Sequence, residues 1–169
     1  MRNINTGNKS FTKKEIKDLW QTPKEIFNNL NKEFKFNFDV CASHENTLVD
    51  NNYWTEKDNA LDQNWGFRSW CNPPYSNISP WVNKASIEHE QGCTIVMLVP
   101  SDTSAKWFKR AIETCNEARF ISGRLSFINA ETQKPVNGNN KGSVIFIWRA
   151  YCKTPCVINL VDRDELMRC

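Results

Sequence analysis

The chain has 169 residues, of which 40% are hydrophobic, and its seven Trp and ten Phe residues are enough for one globular domain with its own core. It has no apolar run of the roughly 20 residues that cross a bilayer, and its polar amino terminus lacks a signal-peptide region, so we expect no membrane association and a cytoplasmic location. The net charge of +3 divides into +4 for residues 1–35, −5 for 36–100, +5 for 101–153 and −1 for the tail. This distribution suits a small cationic or hydroxyl-rich ligand at the centre and a polyanion across the rim, although solvated surface lysines would give the same count.

The cysteines do not indicate a metal site. Seven Cys and two His residues are present, no Cys-x-x-Cys pair occurs, and Cys152 and Cys156 have no second pair at ligand spacing. We therefore predict reduced, mostly buried thiols and no bound metal.

The hydrophobic pattern predicts alternating helices and strands. Residues 1–18 form a polar, basic arm that we expect to be flexible, and 19–169 form a single domain. Thr22 and Pro23 indicate a helix start, with Thr22 as the cap. Trp70 and Trp148 lie within strands and are expected in the core. Helices are predicted at 23–34, 80–88 and 105–115, strands at 36–41, 68–71, 94–99, 118–121, 124–127, 143–148 and 156–160, and mainly loops at 44–65 and 129–142.

This order indicates an α/β fold in which ligands bind beyond the carboxyl ends of parallel strands. The run 94–99 is apolar and β-branched throughout, so it should lie at the sheet centre. Residues 39–43 and 72–75 both follow predicted strands. We therefore expect these two segments to share one site.

The segment Asn72-Pro73-Pro74-Tyr75 has the chemistry to hold a planar amine. If Asn72 Oδ1 and the Pro73 carbonyl each accept a hydrogen from an exocyclic amine, the nitrogen lone pair is freed for attack on a methyl group. Tyr75 would stack on the planar ring that carries the amine, and Pro74 would fix the turn. All four residues are therefore candidate catalytic residues. A simple tight turn would have the same sequence.

Further segments in the same order make the chain resemble the phage and prophage DNA N-6-adenine methyltransferase family over roughly residues 19–148. The resemblance rests on the sequences at 20–23, 36–43, 58–61 with Trp65, 70–76, 81–85, 97–100 and 123–127. It implies a compact, trimmed Rossmann-like methyltransferase sheet with flanking helices, S-adenosylmethionine as methyl donor, and adenine N6 in double-stranded DNA as acceptor.

The resemblance also implies roles for individual residues. Glu45 or Asp50 would bind the cofactor ribose, and Asp58 its adenine amine. The candidate cofactor-binding residues are Trp20, Gln21, Thr22, Pro23, Asp39, Cys41, Ala42 and Asp58.

The chain leaves no room for a separate target-recognition domain, so DNA contacts must come from loops at 76–80, 101–106 or 129–142. The target adenine would have to be flipped out of the duplex. Ser76, Lys106 and Arg124 are the candidate DNA-binding residues, and Arg124 could instead pair with a carboxylate inside the domain. Further candidates for phosphate contacts are Lys109, Arg110 and Lys134.

Two features keep other functions open. The glycine-rich turn usual after the first strand of methyltransferases is replaced by residues 39–43, and only about 30 residues separate Val40 from Trp70, so strands are missing there or replaced by loops. The alternatives are methylation of another amine, such as cytosine N4, guanine N2 or a glutamine amide, and an inactive methyltransferase-like protein that binds DNA or a partner.

Overall fold

The computed structural model describes residues 18, 20–129, 132–136 and 141–168. The predicted arm therefore lies outside the described residues except for Asp18. The strands are β1 (Trp20–Gln21), β2 (Phe38–Asp39), β3 (Arg68–Cys71), β4 (Thr94–Pro100), β5 (Glu117–Ser122), β6 (Ile128–Asn129), β7 (Ser143–Trp148) and β8 (Val157–Asp162). The helices are α1 (Lys24–Phe34), α2 (Ser79–Glu88), α3 (Lys106–Thr114) and α4 (Arg163–Leu166), with a 3₁₀ turn at Glu56–Asp58.

Six of these strands form one mixed sheet in the order β2-β3-β4-β7-β5-β8. β2, β3 and β4 are parallel, β7 is antiparallel to both of its neighbours, and β5 and β8 are parallel to each other. The carboxyl ends of β2, β3 and β4 therefore meet at one edge of the sheet, where an α/β fold places its ligand. The predicted Rossmann-like α/β fold is confirmed, and β4 lies at the centre as expected.

The core has two layers because helices cover both faces of the sheet. On one face, α2 and α3 pack against alternate residues of β4 and β7, such as Met97 and Phe146. On the other face, the buried side of α1 packs against Trp70, Val96 and Ile145. Trp70 and Trp148 are 1% and 0% exposed, which confirms their prediction as core residues.

Some local predictions were wrong. Pro23, not Thr22, is the N-cap residue of α1, and no side chain caps this helix. Residues 124–127 form no strand, because pairing with β1 begins only at Ile128. The last strand, predicted at 156–160, runs from Val157 to Asp162 and is exposed along most of its length. Only residues 132–136 and 141 of the interior of the predicted loop 129–142 are described.

The segment between β2 and β3 shows how the sheet is shortened. Instead of further strand and helix units, residues 52–54 fold back beside β2: Asp39 N donates to Asn52 O at 2.9 Å, and Trp54 N donates to Asp39 O at 3.0 Å. Asn51 and Asn59 adopt left-handed backbone conformations, with φ of 63° and 50°. Asn tolerates this conformation better than most residues, so tight turns form without glycine.

Among the described residues, no helix is both long and apolar enough to cross a membrane. The same residues contain no group of three or more His, Cys, Asp or Glu side chains placed to hold a metal ion. The thiols of Cys71, Cys93 and Cys115 are free and buried.

Candidate active site

The segment Asn72–Tyr75 lies at the carboxyl end of β3. Cys71, the last residue of the strand, is fully buried and pairs with Met97 of β4, so the strand end is held firmly in the core. Pro73 and Pro74 restrict the backbone of the turn that follows. Asn77 N donates to Pro74 O at 3.2 Å and closes it. No backbone hydrogen bond to Pro73 O occurs within the described ranges, so this carbonyl is a second acceptor beside Asn72.

The side chain of Asn72 is fixed with its oxygen unpaired. Its Nδ2 donates to the main-chain carbonyl of Trp20 at 3.0 Å. Because a carbonyl oxygen can only accept, the amide group must face Trp20 with its nitrogen, and this sets the position of Oδ1. Oδ1 is buried and has no hydrogen-bond partner in the described part of the protein. A buried acceptor of this kind is costly for folding, and such groups are frequently found at functional sites.

An aromatic cluster surrounds this acceptor. Tyr75 meets Phe127 edge to face at a centroid distance of 5.8 Å, and Trp20 stacks on the same Phe127 at 5.9 Å. Phe127 is 1% exposed and so links the turn after β3 to β1. The Tyr75 hydroxyl is buried without a described partner, and burial raises the pKa of this phenol. Tyr75 is therefore neutral and presents a ring rather than a charge.

The predicted cofactor segment 20–23 lies directly beside Asn72. It is anchored by β1, in which Trp20 pairs with Asn129 and Gln21 with Ile128. Trp20 Nε1 and Thr22 Oγ1 are buried and lack hydrogen-bond partners among the described residues. Thr22 does not cap α1, so its hydroxyl is not used by the helix. Together with Asn72, this corner of the molecule holds two donors and one acceptor that the described protein atoms do not satisfy.

Asp39 organises the turn after β2. It is 3% exposed, and its two carboxylate oxygens accept from Cys41 N at 3.3 Å and Leu48 N at 3.2 Å. Burial raises the pKa of Asp39 to about 6, although both hydrogen bonds act to lower it. Val40 N donates to Trp70 O at 3.0 Å, which ties this turn to the strand that carries Asn72. Cys41 and Ala42 are half-buried on it.

The other predicted cofactor contacts lie on exposed surface. Asp58 ends the 3₁₀ turn, and its Oδ2 accepts from the backbone and the hydroxyl of Thr55 at 2.8 and 2.7 Å. These hydrogen bonds lower the pKa of Asp58. Glu45 and Asp50 are exposed on the loop after β2. The structure thus gives Asp58 a local capping role, and its contact with the cofactor stays a prediction.

The predicted DNA contacts flank the same edge of the sheet. Ser76 is exposed directly after Tyr75, and Lys106 is exposed at the start of α3. Arg124 makes no salt bridge to a described carboxylate, unlike Lys109, which lies 3.6 Å from Glu113. Arg124 contributes to a polar cleft of about 330 Å³ beyond the end of β4. The cleft is lined by Ser101, Asp102, Thr103, Ser104, Arg124, Lys141 and Gly142.

Arg110 differs from the other basic candidates because its guanidinium donates to Ser86 Oγ at 3.2 Å and joins α3 to α2. Lys134 is exposed.

Sequence reasoning missed two residues of this site. Asp18 accepts a hydrogen bond from Ser76 N at 2.9 Å and holds the backbone just after Tyr75. No local pattern could reveal this contact, because the two residues are 58 positions apart. Phe127 lies in the 123–127 motif and could have been singled out as the buried residue of that motif.

Comparison with known proteins decides the family. A family model described as DNA N-6-adenine-methyltransferase (Dam) matches residues 9–169. The chain belongs to the Dam family. A DNA N-6-adenine-methyltransferase of Escherichia phage T1 is 39% identical over 152 residues, covering 79% of this chain and 63% of that protein. One of Haemophilus phage HP1 (strain HP1c1) is 40% identical over 147 residues, covering 83% of both chains.

These matches confirm the family predicted from the motifs. The chain spans somewhat less than two thirds of the phage T1 relative, and most of the phage HP1 relative. The Dam family and both relatives are named for methylation of adenine N6 in DNA.

Proposed function

We propose that this chain methylates the exocyclic N6 of adenine in double-stranded DNA, with S-adenosylmethionine as the donor. The observation that carries the proposal is the buried Oδ1 of Asn72, which is oriented by Trp20 and has no described partner. An amine with two hydrogens is the complementary group for this oxygen and the adjacent Pro73 carbonyl. Family membership supports adenine N6 as that amine.

The roles of the turn residues follow from the demands of the reaction. Asn72 Oδ1 and Pro73 O would each accept one hydrogen of the amine, which draws the nitrogen towards tetrahedral geometry and makes its lone pair available. These bonds strengthen as positive charge develops on the nitrogen, so they favour the transition state over the ground state. Tyr75 would stack on the base, a contact worth about 1 to 3 kcal/mol in single-stranded nucleic-acid sites. Pro74 fixes the turn.

The residues beside Asn72 fit the proposed donor. S-adenosylmethionine, when bound, supplies an electrophilic methyl group together with a carboxylate, hydroxyls and ring nitrogens that accept hydrogen bonds. Trp20 Nε1 and Thr22 Oγ1 are buried donors without described partners, at the edge where Gln21 and Pro23 also lie. Cys41 and Ala42 are small enough to let a ligand approach the backbone of the turn that Asp39 organises. We assign these residues, with Asp58 of the exposed 3₁₀ turn, to cofactor binding.

DNA would approach the carboxyl edge of the sheet. Arg124 and Lys106 would contact phosphates, and Ser76 would contact the strand beside the flipped adenine. The cleft beyond β4 adjoins this edge and carries hydroxyls and two basic side chains for the same purpose. In this proposal, residues 19–169 act as one domain without a separate target-recognition domain.

A labelled-methyl assay tests the proposal directly. The full chain is incubated with S-adenosylmethionine carrying a deuterated methyl group and with unmethylated double-stranded DNA of mixed sequence, and the DNA is then digested to nucleosides for mass spectrometry. The proposal predicts the label in N6-methyldeoxyadenosine. Label in N4-methyldeoxycytidine would contradict it in favour of the other amine.

The same preparation is titrated with S-adenosylmethionine by calorimetry. Binding of the cofactor with methylation of adenine supports the enzyme. Failure to bind even at about millimolar cofactor, where the binding free energy would be only about −4 kcal/mol, would favour a protein that binds DNA without turnover.

A further inference from the structure

The last strand of the sheet, β8, carries apolar side chains that the rest of the described chain leaves exposed. Val157, Ile158 and Leu160 are 57%, 62% and 75% exposed. On one face Val161 packs into the core, next to Leu166 of α4. Ile158 and Leu160 lie on the opposite face, beside Ala118 and Phe120 of β5, and α3 does not extend over them. Exposed apolar side chains on an edge strand are typical of a pairing surface.

The free edge of β8 has a defined hydrogen-bonding pattern. Val157 N donates to Asn116 O at 2.9 Å, so Val157 directs its backbone groups towards β5. Because these directions alternate along a strand, Asn159 and Val161 also face β5, whereas Ile158 and Leu160 direct their N–H and C=O groups outwards. β5 is the only described strand that pairs with β8. Ile158 and Leu160, the two most exposed apolar residues of β8, thus also have backbone groups that pair with no described strand.

We propose that β8 pairs antiparallel with β8 of a second copy of this chain, about a two-fold axis through Asn159. In this register Ile158 of each copy lies opposite Leu160 of the other. The outward backbone groups of these residues then bond to each other as antiparallel hydrogen-bonded pairs. Val157 lies opposite Val161 on the other face, so within residues 157–161 every cross-strand pair except that of Asn159 with itself is apolar, and Asp162 lies opposite Cys156 at the end of the strand.

The side-chain pattern favours a second copy, because a two-fold interface must be complementary to itself. Moving the two-fold axis to Leu160 keeps the hydrogen-bonding pattern. It places the apolar side chain of Ile158 opposite the carboxylate of Asp162, however, which is an unfavourable cross-strand pair. Charge agrees with the proposed register. Antiparallel pairing brings residues 152–156, with a charge of +1, towards residues 162–165 of the other copy, with a charge of −2.

The proposed contact leaves the candidate active site open. β8 is at one end of the strand order and β2 and β3 are at the other, so pairing extends the sheet without covering Asn72. A contact through one short strand is small, and we expect the reversible association of weak interfaces rather than an obligate dimer.

Sedimentation of the full chain over a concentration range tests the proposal. The wild type should rise from the chain mass of 19.7 kDa towards twice that value as concentration increases to about 100 μM, the range in which weak interfaces associate. Ile158→Lys and Leu160→Glu should each raise the dissociation constant at least about tenfold, because each places a charge opposite an apolar side chain. Phe67→Lys, which charges another exposed side chain away from β8, is the matched control and should not change it.

The combined variant I158K/L160E tests the register itself. In the proposed pairing, each Lys lies opposite a Glu of the other copy, so association should return towards the wild-type level. If the single substitutions acted only by destabilising the fold, the double variant would melt at a lower temperature than either single variant. Circular dichroism melting would show this difference. A wild type that stays monomeric throughout the range, or a dimer unaffected by Ile158→Lys, would overturn the proposal.

Discussion

The amide nitrogen of Asn72 donates to the main-chain carbonyl of Trp20 at 3.0 Å, and this bond joins two segments that are 52 residues apart. Asn72 belongs to the turn after β3, and Trp20 belongs to the segment proposed to hold the cofactor. The bond also leaves Oδ1 of the amide as the atom that we propose binds the acceptor amine. A single side chain thereby sets the relation between the two halves of the proposed site.

Two substitutions of Tyr75 distinguish the contribution of its ring from that of its hydroxyl. Because its hydroxyl is buried without a described partner, Tyr75→Phe should leave the free energy of unfolding unchanged or raise it by about 1 kcal/mol. The ring still stacks on the base, so methylation should stay within a few-fold of the wild type. Tyr75→Ala removes the stacking and should lower the methylation rate at least about tenfold. A large loss of activity in Tyr75→Phe, measured with the same DNA, would show that the hydroxyl takes part.

Asp39 should make stability depend on pH. Its folded pKa of about 6 lies above the ordinary aspartate value of 3.8, so its stabilising contribution is present below pH 3.8 and is lost as the pH rises through 6. Relative to Asp39→Asn, the wild type should therefore lose up to about 3 kcal/mol of unfolding free energy between pH 4 and pH 7. Urea unfolding of both proteins at several pH values measures this difference.

Asp58 is the control for that experiment, because its pKa is lowered and its contribution has the opposite sign. Stability from Asp58 is present above its unfolded pKa and is lost as the pH falls. On acidification, the wild type should therefore lose unfolding free energy relative to Asp58→Asn, which lacks this carboxylate. If Asp39→Asn and the wild type show parallel pH profiles, the proposed burial of an ionisable Asp39 is wrong.

Arg124 should contribute one phosphate contact to DNA binding. Arg124→Ala is expected to weaken binding to any duplex sequence about equally and to reduce the slope of log K against log salt by about one. Arg68→Ala removes the same side chain from an exposed position at the amino end of β3, on the opposite edge of the sheet. Fluorescence anisotropy at several salt concentrations compares the two variants. An equal effect of both would indicate non-specific attraction rather than a contact at Arg124.

Local sequence patterns predicted the centre of this fold well. The β4 run and the apolar face of α1 could be identified because burial on both sides, or on one helical face, leaves a clear periodicity. β8 shows the limit of this reasoning, since an apolar strand at the edge of a sheet has the same composition as a buried one. β8 is exposed because α3 packs over the sheet only as far as β5. This is a feature of the tertiary structure.

The site was predictable where its chemistry is contained in one segment. Asn72 to Tyr75 could be proposed from the sequence because the residue types and the stiff turn occur together, and their catalytic role stays a prediction. Asp18 was not predicted, because its contact with a residue 58 positions away is a consequence of packing. Thr22 was predicted as a cofactor contact, but its failure to cap α1 was not foreseen. In place of the glycine-rich turn, the Asp39 carboxylate accepts a hydrogen bond from Leu48 N, and the Asp39 backbone pairs with residues 52–54. The local sequence does not specify these contacts.

The rate of N6-methyldeoxyadenosine formation by Asn72→Ala tests the central claim most directly. The variant removes the oriented acceptor and should lose at least about a hundredfold in rate, as when one preorganised transition-state contact is removed from other enzymes. Its circular dichroism melting should show a folded protein, since the turn keeps Pro73 and Pro74 and the strand end stays buried. A folded Asn72→Ala protein that methylates adenine at the wild-type rate would contradict the account.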